Sequence, residues 1–440
     1  MAAVPLRRNR DFMLLQAGQL VSTLGSQSTS VVYPLLVLAV TGSPLLAGAV
    51  GFVRILPGVL FSLFGGVAAD RYDRRMLLVG SDTVRALSVG SLVVALVLQH
   101  LTMWHVVMVA FVEGSVATVF RPAILAALRY VVPAEQLSAA VSTQQARAAT
   151  ASLAGPPLGG ALFGLSHAVP FVADAASYLV SVASLLLIRK PLQETRSAPV
   201  TRLRAQLAEG WRFLWHQPFL RTTTFLYGLT NFVGPGVLLA IVVVGSRQGL
   251  SGATIGAFLS AFSACLLIGS LVSGFLRRVL SPRTIFLLEL CAWPATALFL
   301  LWPSAYLLAA SILPAGLAIP VTDSVVVSHR LATTPDRLVG RVESVRSNIA
   351  LGLAPLGSLG AGFLLSTFSD RIAMLVFVTV AFALPIWGAL SPALQTASTR
   401  AETPVNGVGS APDDIRRHAR PSRTTEADLQ RDCNGNVHDP

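Results

Sequence analysis

The sequence predicts an all-α membrane protein with twelve transmembrane helices in two pseudo-symmetric six-helix halves, and three observations carry that prediction. Of 440 residues, 53% are hydrophobic and only 12% charged, with a mean hydropathy of +0.66, which is too apolar for a soluble chain of this length. Apolar runs of about 20 residues or more, the length a helix needs to cross a bilayer, recur between residues 12 and 391. The Lys and Arg residues between those runs gather in alternate loops, as topology in a membrane demands.

Loop charges, prolines and glycines cut the runs at 12–40, 44–69, 76–98, 103–127, 137–165, 169–189, 219–246, 251–276, 283–302, 305–329, 337–366 and 370–391, here spans 1 to 12. Span 1 follows Arg7, Arg8 and Arg10 and imitates a secretory leader. At nearly 30 residues, without a small-residue cleavage site, it reads as an uncleaved first helix. Tail aside, one face of the membrane receives nineteen basic residues, from Arg7 to Arg341, and the other receives Arg247 and Arg371. Basic residues stay on the cytoplasmic side, so both termini are expected there. Residues 190–218 form the longest inner loop, where Trp211, Phe213, Leu214 and Trp215 beside Arg202, Arg204 and Arg212 read as an interfacial amphipathic helix.

This layout divides the chain into a cytoplasmic N-terminus (1–11), a first bundle (12–189), the linker (190–218), a second bundle (219–391) and a polar tail (392–440) expected to be disordered. The bundles share a pattern. Span 5 has Arg147 nine residues before Pro156, and span 11 has Arg346 nine residues before Pro355, each proline flanked by glycines. Such internal symmetry marks transporter architecture. A net charge of +12 would suggest nucleic acid in a soluble domain, but here it lies in short loops and topology accounts for it. Cys265, Cys291 and Cys433 give neither a disulfide framework nor metal-ligand spacing.

Between spans 2 and 3 the chain reads Gly65-Gly66-Val67-Ala68-Ala69-Asp70-Arg71-Tyr72-Asp73-Arg74-Arg75. The glycines permit close helix approach, and Asp70 is suited to a helix N-terminus or an arginine that would lock one of two bundle arrangements. The plainer alternative is a topogenic loop. Span 5 carries Gly155-Pro156-Pro157-Leu158-Gly159-Gly160, where the prolines delete backbone donors and bend the helix while the glycines allow tight packing. A Gly/Pro kink serving packing alone would look the same.

The first loop resembles the signature loop of the major facilitator superfamily, and the span 5 element is similar to the motif of that superfamily's exporters. With Phe120-Arg121-Pro122-Ala123 and Pro335-Asp336-Arg337-Leu338-Val339-Gly340-Arg341-Val342, residues 8–391 resemble the branch of enterobactin exporters and macrolide-efflux proteins. The resemblance implies a monomer, a cavity lined by spans 1, 4, 7 and 10, and alternating access driven by a proton gradient with no bound cofactor. Two departures stand out: Arg278 occupies the place of Asp70 in the second half, and Ala110 stands where span 4 of the family has an arginine.

Charges inside the bilayer are costly and face a cavity or a partner. Arg54, Glu113, Arg121, Arg147, Asp174, Glu289, Asp323 and Arg346 fall inside spans, and Gln27, Gln144 and Asn231 add amides at cavity depth. Glu113, in mid-span, suits proton exchange, although an ion pair to Arg54 or Arg147 would explain it equally. Asp174 reads as a structural partner. Glu289 and Asp323 are expected near the cytoplasmic ends, where water lowers their cost. The expected function is secondary active export of a small amphipathic molecule, antibiotic or siderophore in class, from a bacterial cytoplasmic membrane. An importer or facilitator of a small metabolite, or a non-transporting receptor or scaffold, would fit the same spans. No catalytic group is evident: His100, His105, His167 and His329 lack a matching nucleophile.

Overall fold

In the computed structural model, residues 5–193, 203–335 and 338–394 are described. Residues 395–440 of the expected polar tail and 194–202 of the 190–218 loop lie outside them, as do Asp336, Arg337 and the side chains of Arg204 and Asp70.

Among the described residues the first half comprises span 1 (Arg10–Thr41), span 2 (Pro44–Arg71), span 3 (Arg74–Val97), span 4 (Met103–Val131), span 5 (Leu137–Leu165) and span 6 (Val169–Leu187). A linker helix, Leu203–His216, leads into span 7 (Pro218–Arg247) and span 8 (Gly252–Val279). Spans 9 to 12 occupy Pro282–Leu301, Ala305–Thr333, Val339–Thr367 and Asp370–Leu390. Eleven of these helices are apolar enough to cross a membrane. Span 5 is the exception: it has the length, 29 residues, but Gln144, Gln145 and Arg147 and its hydroxyl-bearing residues lower its hydropathy. Its neighbours supply the apolar shield.

Local chemistry sets the helix ends. Asn9, Ser43, Asp73, Thr102, Ser251, Ser281 and Ser369 each accept a hydrogen bond from a first-turn amide, which satisfies a donor that lipid could not. Gly42 closes span 1 with φ 65°, and Gly249 follows span 7 with φ 73°, a backbone geometry that favours glycine. Trp104 and Trp302 are exposed at one end of the bundle, Trp211 and Trp215 at the other, as expected for side chains that anchor at membrane interfaces.

Each main packing pair of the first half recurs six spans later. Spans 1–5, 1–6, 2–4, 3–4 and 3–6 pack together, and so do spans 7–11, 7–12, 8–10, 9–10 and 9–12. Two further seams, span 2 with span 11 and span 5 with span 8, join the halves. Both are glycine contacts at the end of the bundle away from the chain termini. A Cβ on Gly160 would overlap the carbonyl oxygen of Gly252, and one on Gly256 that of Pro156; Gly48 and Gly362 face each other in the same way. Backbones this close exclude any side chain between them and gain close van der Waals packing, so the far end is sealed.

Candidate functional site

A cavity of about 690 Å³ lies inside the first half, lined by spans 1 to 6. Glu113, 4% exposed, forms its floor and accepts hydrogen bonds from Tyr33 (2.6 Å) and Tyr178 (3.1 Å). Ser26 extends the chain to Tyr178 at 2.9 Å. Arg54 stacks over the Tyr33 ring at 5.2 Å and reaches the Ser26 carbonyl at 3.4 Å, but it forms no ion pair with Glu113 within 4 Å. The two tyrosines therefore hold the carboxylate, and neither Arg54 nor Arg147 pairs with it. Asp174, fully buried, accepts from Thr29 at 2.8 Å. Arg85 contacts Asp82 at 3.4 Å and lies over the rings of Phe120 and Tyr178, while Ser181 donates to Asp82 at 2.6 Å.

The second half encloses a cavity of about 460 Å³, lined among others by Tyr227, Asn231, Glu289, Trp293, Asp323 and Arg346. Arg346 makes a two-pronged contact with Glu343, at 3.0 and 2.9 Å, and Arg330 joins the same carboxylate. Glu289 is 2% exposed, with Thr322 beside it and no ion pair among the described residues. The expected water-lowered cost does not apply to it, because spans 10 and 12 pack over its helix. A third space of about 650 Å³ shares Gln27, Ser30 and Ser152 with the first cavity and Leu238, Phe262 and Leu266 with the second. The three form one central chamber between the halves. Its walls run down to exposed Leu125, Ser142 and Leu271, so it opens at the end of the bundle that carries the termini.

This arrangement, two similar bundles around a chamber sealed at one end, has counterparts. Residues 16–342 match the family described as Major Facilitator Superfamily. The chain belongs to that superfamily. Among curated relatives, the multidrug efflux pump Tap of Mycolicibacterium fortuitum is 26% identical over 80% of this chain and 88% of its own. Macrolide efflux protein A of Streptococcus pyogenes is 23% identical over 82% and 90%, respectively. The enterobactin exporter EntS of Escherichia coli is 27% identical over 70% and 76%. The nucleoside transporter NupG superposes with a TM-score of 0.73 at 12% identity, covering 87% of this chain and all of that one.

Within this superfamily member the motif residues divide by position. Gly65 packs against the Thr118 carbonyl of span 4, whereas Gly66 faces open space. Of the basic residues that follow, Arg71 is exposed. Arg74 is buried and donates to the carbonyls of Ala69 (3.2 Å) and Leu192 (3.4 Å); Arg75 donates to that of Leu185 at 3.4 Å. Arg74 and Arg75 thus hold the end of span 6 and the segment after it, where free carbonyls favour cations. In span 5, Gly155 and Gly159 rest on the backbone of span 1 at Gln27 and Ser28, while Gly160 forms the seam with span 8. Gly357 of span 11 rests in the same way on Phe232 of span 7, which gives the Arg-x8-Pro repeat a shared packing role.

The chamber gathers Gln27, Arg54, Glu113, Arg121, Gln144 and Arg147 on one wall and Asn231, Asp323 and Arg346 on the other. Sequence reasoning missed Asp82 and Arg85, although a carboxylate and a guanidinium three residues apart in an apolar span are a visible signal. It also missed Tyr33, Tyr178 and Trp293, which carry no charge to draw the eye.

Proposed function

We propose that the protein is a secondary active exporter of a small amphipathic molecule, embedded in a bacterial cytoplasmic membrane with both termini inside. The observation that carries this reading is the pair of glycine seams sealing one end of a chamber of mixed apolar and polar lining that is open at the other. Nineteen basic residues against two support cytoplasmic termini, and in that orientation the chamber faces the compartment from which an exporter loads. Rocking of the halves would open the seams and release cargo outside. The efflux relatives support the outward direction, and an antibiotic or a siderophore is the class of cargo they suggest.

Proton entry supplies the drive in this reading, worth about 2.3 kcal/mol per charge for each 100 mV of inside-negative potential. Glu113 is the carrier assigned here. It lies on the chamber floor with two hydroxyl donors and no ion pair, so it is placed to take up a proton when the chamber faces outside and to release it to the cytoplasm as cargo loads. No cofactor, nucleic acid or second subunit is required. The test uses inverted vesicles holding a pH-sensitive dye, an imposed proton gradient, and a panel of siderophores and lipophilic antibiotics. Proton release with one chemical class, lost in Glu113→Gln, is the expected result; no release with any compound would sink proton antiport.

A further inference from the structure

The wall contributed by the first half is electrically unbalanced. Its lining includes four arginines, Arg54, Arg85, Arg121 and Arg147, against one acid, Glu113. Arg85 is held by Asp82, and Arg54 lies over the Tyr33 ring and donates to the Ser26 carbonyl. Among the described residues Arg121 and Arg147 form no ion pair and no hydrogen bond: no carboxylate of a described residue lies within 4 Å of either guanidinium, and the buried Nε of Arg147 meets no acceptor.

Their placement is matched as well. Arg121 lies ten residues before the end of span 4 and Arg147 ten residues after the start of span 5, so both sit about 15 Å in from the open end. Both line the same cavity, with Gln144 one turn from Arg147. Arg121 is exposed on the chamber wall and Arg147 half-buried in it, so both N–H forks are open to a ligand, and planar N–H forks are the side-chain chemistry best suited to an oxyanion.

We infer that Arg121 and Arg147 form a receptor for an oxyanion carried by the cargo: a carboxylate, sulfonate, phosphate or deprotonated catechol on an apolar body. This rests on the reading of the chamber as the cargo site and narrows its substrate class. The apolar body fits the adjoining space beside Leu238, Phe262 and Leu266. An anionic cargo would also be driven outward by the inside-negative potential, in the direction proposed above.

The test compares two probes that share one scaffold, 8-anilino-1-naphthalenesulfonate and the uncharged N-phenyl-1-naphthylamine. Binding is measured by fluorescence to the full chain in lipid nanodiscs, with empty nanodiscs subtracted. Wild type should bind the sulfonate at least about tenfold more tightly than the neutral probe. Arg121→Gln and Arg147→Gln should each weaken sulfonate binding about tenfold and leave the neutral probe within about twofold, while Arg121→Lys and Arg147→Lys retain part of the preference. Arg371→Gln, at the far end, should change neither. Equal affinity of wild type for both probes, loss of both probes together in the glutamine variants, or no binding of either would overturn the receptor. The wild-type comparison stands even if a variant fails to fold. Because binding needs no transport, a sulfonate-selective protein that moves nothing in vesicles would defeat the exporter reading and leave the receptor standing.

Discussion

In the first half, span 5 rests on span 1 through Gly155 and Gly159; in the second, span 11 rests on span 7 through Gly357. The seams correspond too, Gly160 with Gly252 and Gly362 with Gly48. Yet the first half turns four arginines and one acid toward the chamber, the second two acids and one arginine, and that arginine is held by Glu343. Packing symmetry has been kept while the charge diverged. The difference teaches that the halves share the backbone contacts at the far end and differ in the charges they present to the chamber. Backbone contacts tolerate no side chain at the seams, whereas chamber walls accept any group that water or cargo can satisfy.

The largest expected effect breaks the symmetry at a seam. Gly160→Ala places a methyl against the carbonyl of Gly252 and should destabilise the sealed end by about 1–3 kcal/mol, enough to stall the cycle. Gly164→Ala, where a Cβ meets nothing within 4 Å, should transport normally. With the native cysteines replaced by serine, outside thiol labelling of Ser30→Cys in the chamber should rise in the first variant only; unchanged labelling in both would deny the seam its role.

Next comes the contrast between the two buried acids. Glu113→Gln should abolish proton-coupled export, whereas Glu289→Gln should slow it severalfold, by about 1 kcal/mol, and keep the coupling, read from dye response in inverted vesicles. The reverse pattern would move the proton site to the second half.

A smaller effect separates two tyrosines. Tyr33→Phe strips a 2.6 Å hydrogen bond from buried Glu113 and should cost about 1–3 kcal/mol of stability, seen as a lower thermal midpoint of the purified protein. The Tyr227 hydroxyl is buried without a regular hydrogen bond although Asp323 is nearby, so Tyr227→Phe should shift the midpoint little. Equal shifts would erase this part of the comparison.

The smallest belongs to the linker. Glu209 pairs with Arg341 where the linker helix meets span 11, both groups about one-third exposed. Glu209→Gln should cost about 0–1 kcal/mol, within reach of careful denaturation and without effect on the cargo preference.

The resemblance of residues 8–391 placed the chain in its superfamily before any coordinates, and the span 5 glycines and prolines drew attention to a helix that does form a seam. Span 5 also shows where composition is incomplete: its polar face makes it a poor membrane helix in isolation, and packing against spans 1 and 8 supplies what its own residues lack. Gly65 and Gly66 look equivalent in sequence, yet only Gly65 touches a neighbouring helix.

Sequence by itself determined the helical class, the positions of nearly all the spans and the asymmetry of basic loops. Lipid imposes those features locally, through contiguous apolar runs and hydrogen bonds closed within each helix. Only the tertiary structure decided which buried charges are compensated. Asp82 holds Arg85 within one span, tyrosines from spans 1 and 6 hold Glu113 of span 4, and Arg121 and Arg147 are left facing the chamber. Partnership among charges depends on distance and orientation across helices far apart in the chain, which no local pattern records.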